Sequence, residues 1–173
     1  MVHILGGVLT SIFLGLSFII CNLLWSFVGW YVYPQAAIIL IIAALGEHYV
    51  SGKGYYTYTS QNGYFVGRVP LWIPLMWVFM VQSTLLLTLI AGLTGLQAVY
   101  FSGIICMFCD FVLIEPLLCS QRKFWEWTVV ERGYFRFIPA GFNRFTAPPG
   151  NYVVWFLFPF LLNSALYITS LLV

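Results

Sequence analysis

Long apolar runs dominate this chain, and few ionisable residues interrupt them. The sequence is 62% hydrophobic and only 7% charged, whereas a soluble domain carries about 25% charged residues. Most of the runs approach the roughly 20 residues that a helix needs to cross a hydrocarbon core. Because lipid offers no hydrogen bonds to the backbone, a spanning segment must satisfy its own. The chain is therefore predicted to be all-α: a polytopic transmembrane helical bundle.

About five spans are predicted within a single transmembrane domain, residues 1–173. Their approximate bounds are 4–32, 35–49, 70–93, 96–119 and 151–173. The pair Tyr33-Pro34 is expected to divide the first two, and the apolar N-terminus is interpreted as a span rather than a cleaved signal. All seven Lys and Arg lie in the segments 51–69 and 120–150. The positive-inside rule therefore predicts a multi-pass cell-membrane protein with a cytoplasmic N-terminus.

Composition also narrows the partners and cofactors. A net charge of +2 is too small to indicate nucleic acid, so membrane lipid is the expected partner. No phosphate loop, dinucleotide fingerprint or nucleophile motif is present, and no cofactor is expected. The four cysteines lie in apolar runs and are interpreted as packed thiols. The sequence indicates no oligomeric state.

Two carboxylates in the fourth span, Asp110 and Glu115, are the leading candidates for catalytic residues. A charge within a span costs roughly 2.5–3.5 kcal/mol on insertion scales, so such residues usually face a protein interior and serve a function. On an ideal helix they point about 140° apart, and they share one site only if Pro116 distorts the turn. The alternative is that Glu115 forms an ion pair with Arg122, seven residues later on the same face.

Glu47 and His48 end the second span and form the next candidate pair. Glu47 is a candidate general acid or substrate contact, and His48 a candidate base or ligand. The alternative is a polar cap at the membrane interface. Acids and histidines at these spacings do not form a metal site, so none is predicted.

Aromatic and amide side chains supply candidate substrate contacts. Tyr58 and Trp77 are expected either to line a cavity for a long apolar ligand or to belong to an interfacial aromatic belt; the other aromatic residues are assigned to the belt. Aromatic faces also stabilise cations. Asn151 and Trp155 share one face at the start of the fifth span, although Asn151 could instead cap that helix.

A series of stretches between residues 43 and 160 carries a family resemblance. In chain order these are Glu47, the glycines and tyrosines of 52–58, Val69-Pro70-Leu71 with Trp77, Asp110 with Glu115-Pro116, Phe124-Trp-Glu-Trp127, Gly133-Tyr-Phe-x-x-x-Pro139, and an Asn before a Trp. Together they resemble the carotenoid biosynthesis membrane-protein family, which includes carotenoid tail hydratases.

This chain departs from the family pattern in three ways. It has fewer spans than most members. The family stretch reads Asp-x-x-x-Asp-Pro, whereas here Glu115 replaces the second Asp and one residue is inserted. The family Asn corresponds either to Asn151, with Trp155, or to Asn143.

The resemblance implies water addition across a terminal double bond of an acyclic carotenoid or similar long lipid. Asp110 and Glu115 would then be the acid and the cation stabiliser, with Glu47 assisting, and no cofactor would be needed. Isomerisation or cyclisation would use the same protonation without water. A non-enzymatic, lipid-binding accessory subunit of a larger complex is the competing hypothesis, and a small transporter is a third.

Overall fold

A computed structural model describes residues 2–128 and 147–171. Its long helices are α1 (Val2–Val28), α2 (Val32–Gly52), α3 (Trp72–Ile90), α4 (Gly95–Cys109) and α5 (Pro149–Leu171). A π-helix, Asp110–Gln121, continues α4 without a break. The prediction of an all-α membrane bundle is confirmed, with four segments of the described chain long and apolar enough to cross a bilayer.

The first of these four segments contains both α1 and α2. It runs from Ile4 to Gly52 over 49 residues, about twice the length of one crossing. A short 3-10 turn, Gly29–Tyr31, separates the two helices, and Gly29 adopts φ +70°, which favours glycine. The predicted break at Tyr33-Pro34 is therefore too late in the chain. Pro34 instead lies in the first turn of α2, where its missing N–H breaks no intrahelical bond.

Short strands gather at one end of the bundle. β1 (Tyr56–Tyr58) pairs antiparallel with β4 (Trp125–Trp127), and β2 (Phe65–Val66) pairs antiparallel with β3 (Val69–Pro70). We call this end, comprising residues 53–71 and 122–128, the strand end. Strands were not predicted in these polar segments.

The strand end is tied to the helices by a buried amide. Asn62 is fully buried, and its side-chain amide donates to the carbonyl of Thr59 over 2.9 Å. Its oxygen accepts from the indole of Trp72 over 3.2 Å. Gly6 near the start of α1 packs against the backbone of Asn62. The strands are thereby held over the helix ends.

Deeper in the bundle, buried amides link the helices to one another. Gln82 of α3 donates to Gln35 of α2 over 3.2 Å, and Gln35 donates to Asn163 of α5 over 2.8 Å. Asn163 in turn donates to Ser102 of α4 over 3.0 Å. Interhelical hydrogen bonds contribute about 0.6 kcal/mol each on average in a membrane protein. This amide network holds four helices in register.

Candidate functional site

Glu47, at the strand end of α2, accepts hydrogen bonds from three aromatic side chains. The hydroxyl of Tyr56 donates to Oε2, and the hydroxyl of Tyr58 donates to the same oxygen over 2.7 Å. The indole of Trp77, on α3, donates to Oε1 over 2.8 Å. Three donors from β1 and α3 therefore converge on one carboxyl group.

The geometry of β1 places the side chains of Tyr56 and Tyr58 next to Glu47. Residues two apart on a strand point to the same face, so Tyr56 and Tyr58 of β1 both face the bundle. Burial, reinforced by the nearby charge of Glu47, raises the pKa of Tyr56 and of Tyr58 well above the ordinary tyrosine value. Both side chains therefore remain neutral donors.

This shift predicts a pH-dependent stability. Free tyrosine titrates near 10; above that pH the unfolded chain loses protons that folded Tyr56 and Tyr58 retain. The free energy of unfolding that the raised pKa values contribute is therefore fully present below pH 10 and is lost as the pH rises above 10. We expect Tyr58→Phe to make the fall in melting temperature between pH 9 and pH 11 shallower, because one of the groups that cause the fall is removed. Calorimetry in detergent measures this, and the exposed Tyr55→Phe should keep the wild-type decline.

Asp110 and Glu115 lie on one face because the helix that carries them is a π-helix. Hydrogen bonds in a π-helix run from residue i to i+5, which places residues five apart one above the other. Pro116 lies inside this segment. Asp110 and Glu115 are 0% and 2% exposed. The distortion that the sequence analysis required for a shared site is therefore present.

The side-chain amide of Asn151 joins the two acids. Its Nδ2 donates to Oδ2 of Asp110 over 2.8 Å and to Oε1 of Glu115 over 3.4 Å. The other oxygen of Asp110 is buried without a hydrogen-bond partner among the described residues. The side chain of Asn151 therefore bridges two carboxyl groups instead of capping α5.

Glu115 also accepts from two indoles of β4. Trp125 donates to Oε1 over 3.3 Å and Trp127 to Oε2 over 3.2 Å. The predicted alternative was an ion pair with Arg122, whose side chain is exposed whereas Glu115 is buried. The described contacts of Glu115 thus favour the interpretation as a site residue.

A cavity of about 30 Å³ lies between Glu47 and Glu115. Tyr58, Asn151 and Trp155 also line it. One water requires about 10–15 Å³ and two to four polar partners, and this cavity, which we call the inner cavity, provides both. It is the right size and polarity for one or two water molecules.

A larger groove of about 360 Å³ opens beside the inner cavity, between α2 and α5. Apolar side chains such as Ile42, Val154 and Phe158 form most of its wall. Four residues border both the groove and the inner cavity: Glu47, Tyr56, Trp127 and Asn151. An apolar molecule in the groove would therefore meet the water site along this shared border.

Two stacked indoles contribute to the walls of both spaces. The rings of Trp77 and Trp155 lie 3.9 Å apart between centroids and 24° from parallel. Trp77 lines the groove and Trp155 lines the inner cavity. Their π faces supply negative potential beside both spaces.

The structure brings seven of the eight predicted site residues together: Glu47, Tyr58, Trp77, Asp110, Glu115, Asn151 and Trp155. His48 is the exception. It is exposed and borders Gly67, and it lines neither the inner cavity nor the groove. Among the described residues, no group of His, Cys, Asp and Glu is arranged to hold a metal.

Three residues of the candidate site were not predicted as such but assigned to the aromatic belt: Tyr56, Trp125 and Trp127. The signal was present in the alternation Tyr-Thr-Tyr and Trp-Glu-Trp, since alternating residues of a strand face one side. The predicted stretch Gly133 to Pro139 and the alternative Asn143 lie outside the described residues.

The chain was compared with protein-family models, curated proteins and solved structures. A family model described as carotenoid biosynthesis protein matches residues 4–170, nearly the whole chain. No curated protein and no solved structure matches the chain.

Proposed function

Because the chain belongs to the carotenoid biosynthesis protein family, we propose that this membrane protein adds water across a terminal double bond of an acyclic carotenoid. The observation that best supports the proposal is that the apolar groove and the polar inner cavity are adjacent. An apolar groove and a water-sized polar cavity meet along a border formed by Glu47, Tyr56, Trp127 and Asn151. Hydration needs both spaces, because the double bond lies in an apolar chain whereas the attacking water needs a polar site next to it.

The acid in this proposal is the Asp110–Glu115 pair. Asn151 donates to both carboxyl groups and keeps them side by side. Glu115 lines the inner cavity, whereas Asp110 lies behind Asn151. We therefore assign proton donation to Glu115 and give Asp110 a positioning role. This modifies the sequence-based assignment, in which both acids acted on the substrate directly.

The reaction balances without a cofactor. A proton from Glu115 bonds to the less substituted carbon of the terminal double bond and leaves a tertiary cation. The carboxylate of Glu47, which accepts from three donors, stabilises that cation together with the faces of Trp77 and Trp155. Water from the inner cavity bonds to the cationic carbon and returns a proton to Glu115.

Incubation in water labelled with heavy oxygen tests this proposal. Membranes containing the protein are supplied with an acyclic carotenoid, and the products are analysed by mass spectrometry. Labelled hydroxyl in the product supports hydration. A product without the label indicates isomerisation or cyclisation, and an unchanged carotenoid with bound pigment favours the accessory, lipid-binding role.

A further inference from the structure

Two aromatic side chains lie at the border between the groove and the inner cavity. Tyr56 and Trp127 line both spaces, and we call them the border pair. Their rings lie 4.8 Å apart between centroids, with the planes inclined at 65°. Tyr58 and Trp125, the next aromatic pair along the same two strands, line the inner cavity but not the groove. The border pair therefore occupies the place where the two spaces meet.

Backbone pairing fixes the position of these two rings. Tyr56 of β1 lies directly opposite Trp127 of β4, and side chains at such opposed positions contact each other on one face of the sheet. Beside the pair, the backbone N–H of Thr128 donates to the carbonyl of Tyr55 over 3.1 Å. An edge-to-face arrangement of the rings is itself attractive. The pair is thus held by the sheet as well as by its own contact.

Each member of the border pair is also bound to one carboxyl group of the site. The hydroxyl of Tyr56 donates to Oε2 of Glu47, and the indole of Trp127 donates to Oε2 of Glu115 over 3.2 Å. Neither ring can turn away from the border without losing a hydrogen bond. The two rings therefore form a fixed partition that extends from one carboxyl group to the other.

The cation of the proposed reaction has two possible fates. Water can bond to the cationic carbon and give the alcohol. Alternatively, a C–H bond on the adjacent carbon breaks, its electron pair forms a new double bond, and the proton passes to the carboxylate of Glu115. The second route gives an isomer of the substrate and consumes no water. The product therefore depends on whether a water lies beside the cation when it forms.

A partition at this border keeps the water in place. The inner cavity, at about 30 Å³, holds one or two waters and has no room for hydrocarbon as well. If a ring of the border pair were removed, hydrocarbon from the groove would reach the inner cavity and displace the water. A reactant displaced by about 1 Å can react roughly 10²-fold more slowly. Loss of a proton would then be the faster fate of the cation.

We propose that the border pair, Tyr56 with Trp127, keeps hydrocarbon out of the inner cavity and thereby selects the hydrated product over the isomer. This inference rests on the proposed function for the reaction. It goes further by naming the side chains that determine which product forms, a role distinct from proton donation by Glu115 and from stabilisation of the cation by Glu47.

A matched set of tyrosine variants tests the role of the ring. Tyr56→Phe keeps the ring and removes the hydroxyl, whereas Tyr56→Leu removes both. Tyr58→Leu is the control, because Tyr58 lies on the same strand and donates to the same oxygen of Glu47 but does not line the groove. Membranes containing each variant receive an acyclic carotenoid in water labelled with heavy oxygen. Mass spectrometry and chromatography give the ratio of labelled alcohol to unlabelled isomer.

We expect Tyr56→Leu to lower the ratio of alcohol to isomer about tenfold or more. Tyr56→Phe and Tyr58→Leu should turn over more slowly, since each lacks a donor to Glu47, but they should keep the wild-type ratio. An unchanged ratio in Tyr56→Leu, or an equal shift in Tyr58→Leu, would overturn the inference. The ratio counts only molecules that have reacted, so it does not depend on how much of a variant folds. Trp127→Leu opens the same border from β4 and should shift the ratio in the same direction.

A measurement without turnover separates this inference from the proposed function. The indole N–H of Trp125 donates to Glu115 over 3.3 Å and lies at the inner cavity. Dissolved dioxygen prefers hydrocarbon to water, and its paramagnetism accelerates the relaxation of nearby protons. In nanodiscs under oxygen, the signal of this indole, assigned by its loss in Trp125→Phe, should relax faster in Tyr56→Leu than in the wild type or Tyr58→Leu.

The two proposals then fail separately. If the wild type forms labelled alcohol while Tyr56→Leu changes neither the product ratio nor the relaxation, the border pair is not a partition and hydration stands. If the relaxation increases in Tyr56→Leu alone while the wild type forms no labelled product, the partition stands and hydration is wrong.

Discussion

Glu115→Gln is expected to slow carotenoid hydration by roughly 10²–10⁴-fold, the range that general acid catalysis contributes. Gln keeps the volume and one acceptor oxygen but cannot transfer a proton. Glu115 is 2% exposed and borders the inner cavity, so bulk water cannot easily replace it as a donor. Product formation in membranes with an acyclic carotenoid measures the loss.

A second acid provides the control for this experiment. Glu126 lies between Trp125 and Trp127, the two residues of β4 whose indoles donate to Glu115, but its own side chain is exposed. Glu126→Gln makes the same chemical change without altering the wall of the inner cavity, and we expect wild-type activity. Full activity in Glu115→Gln, or an equal loss in Glu126→Gln, would contradict the assignment of Glu115 as the proton donor.

The apolar runs and the confined charges predicted the membrane bundle, because hydrophobic length alone determines which segments can cross a bilayer. Asp110 and Glu115 were also predicted from the sequence, since a carboxyl group within a membrane span is energetically costly and usually serves a function. What hydropathy could not supply was the shared face of Asp110 and Glu115. That depends on a π-helix, which differs from an α-helix by one residue per hydrogen bond and leaves no periodic signal.

The strand end was harder to predict than the helices. β1 and β4 are only three residues each and lie far apart in sequence, so no local pattern indicates that they pair. Their pairing sets Tyr56 opposite Trp127 and Tyr58 opposite Trp125, and it brings the donors to Glu47 and Glu115 together. The aromatic residues were therefore visible in the sequence, but their role as hydrogen-bond donors to Glu47 and Glu115 depends on the long-range pairing of β1 with β4.

Glu47 was predicted to assist catalysis, and the geometry around its carboxyl group favours a larger role. It borders both the groove and the inner cavity, and it accepts three hydrogen bonds. Glu47→Gln would replace one acceptor oxygen with an amide that itself donates, opposite the indole of Trp77 or the hydroxyls of Tyr56 and Tyr58. The negative charge facing the developing cation would also be lost.

We therefore expect Glu47→Gln to lower kcat by roughly 10²–10³-fold, as for the loss of a preorganised electrostatic contact. KM should change little, because the cation exists only beyond the ground state. Both a hydrated product and any isomerised by-product should decrease together, since both pass through the same cation. Steady-state kinetics with product analysis measures these quantities.

Glu47→Asp distinguishes charge from packing at this position. It keeps the carboxylate but shortens the side chain, so partial recovery of kcat relative to Glu47→Gln indicates that the charge stabilises the transition state. If both variants instead raise KM while kcat stays at the wild-type value, Glu47 contributes only to substrate binding. In that case the cation must be stabilised elsewhere, and the stacked faces of Trp77 and Trp155 become the groups to test.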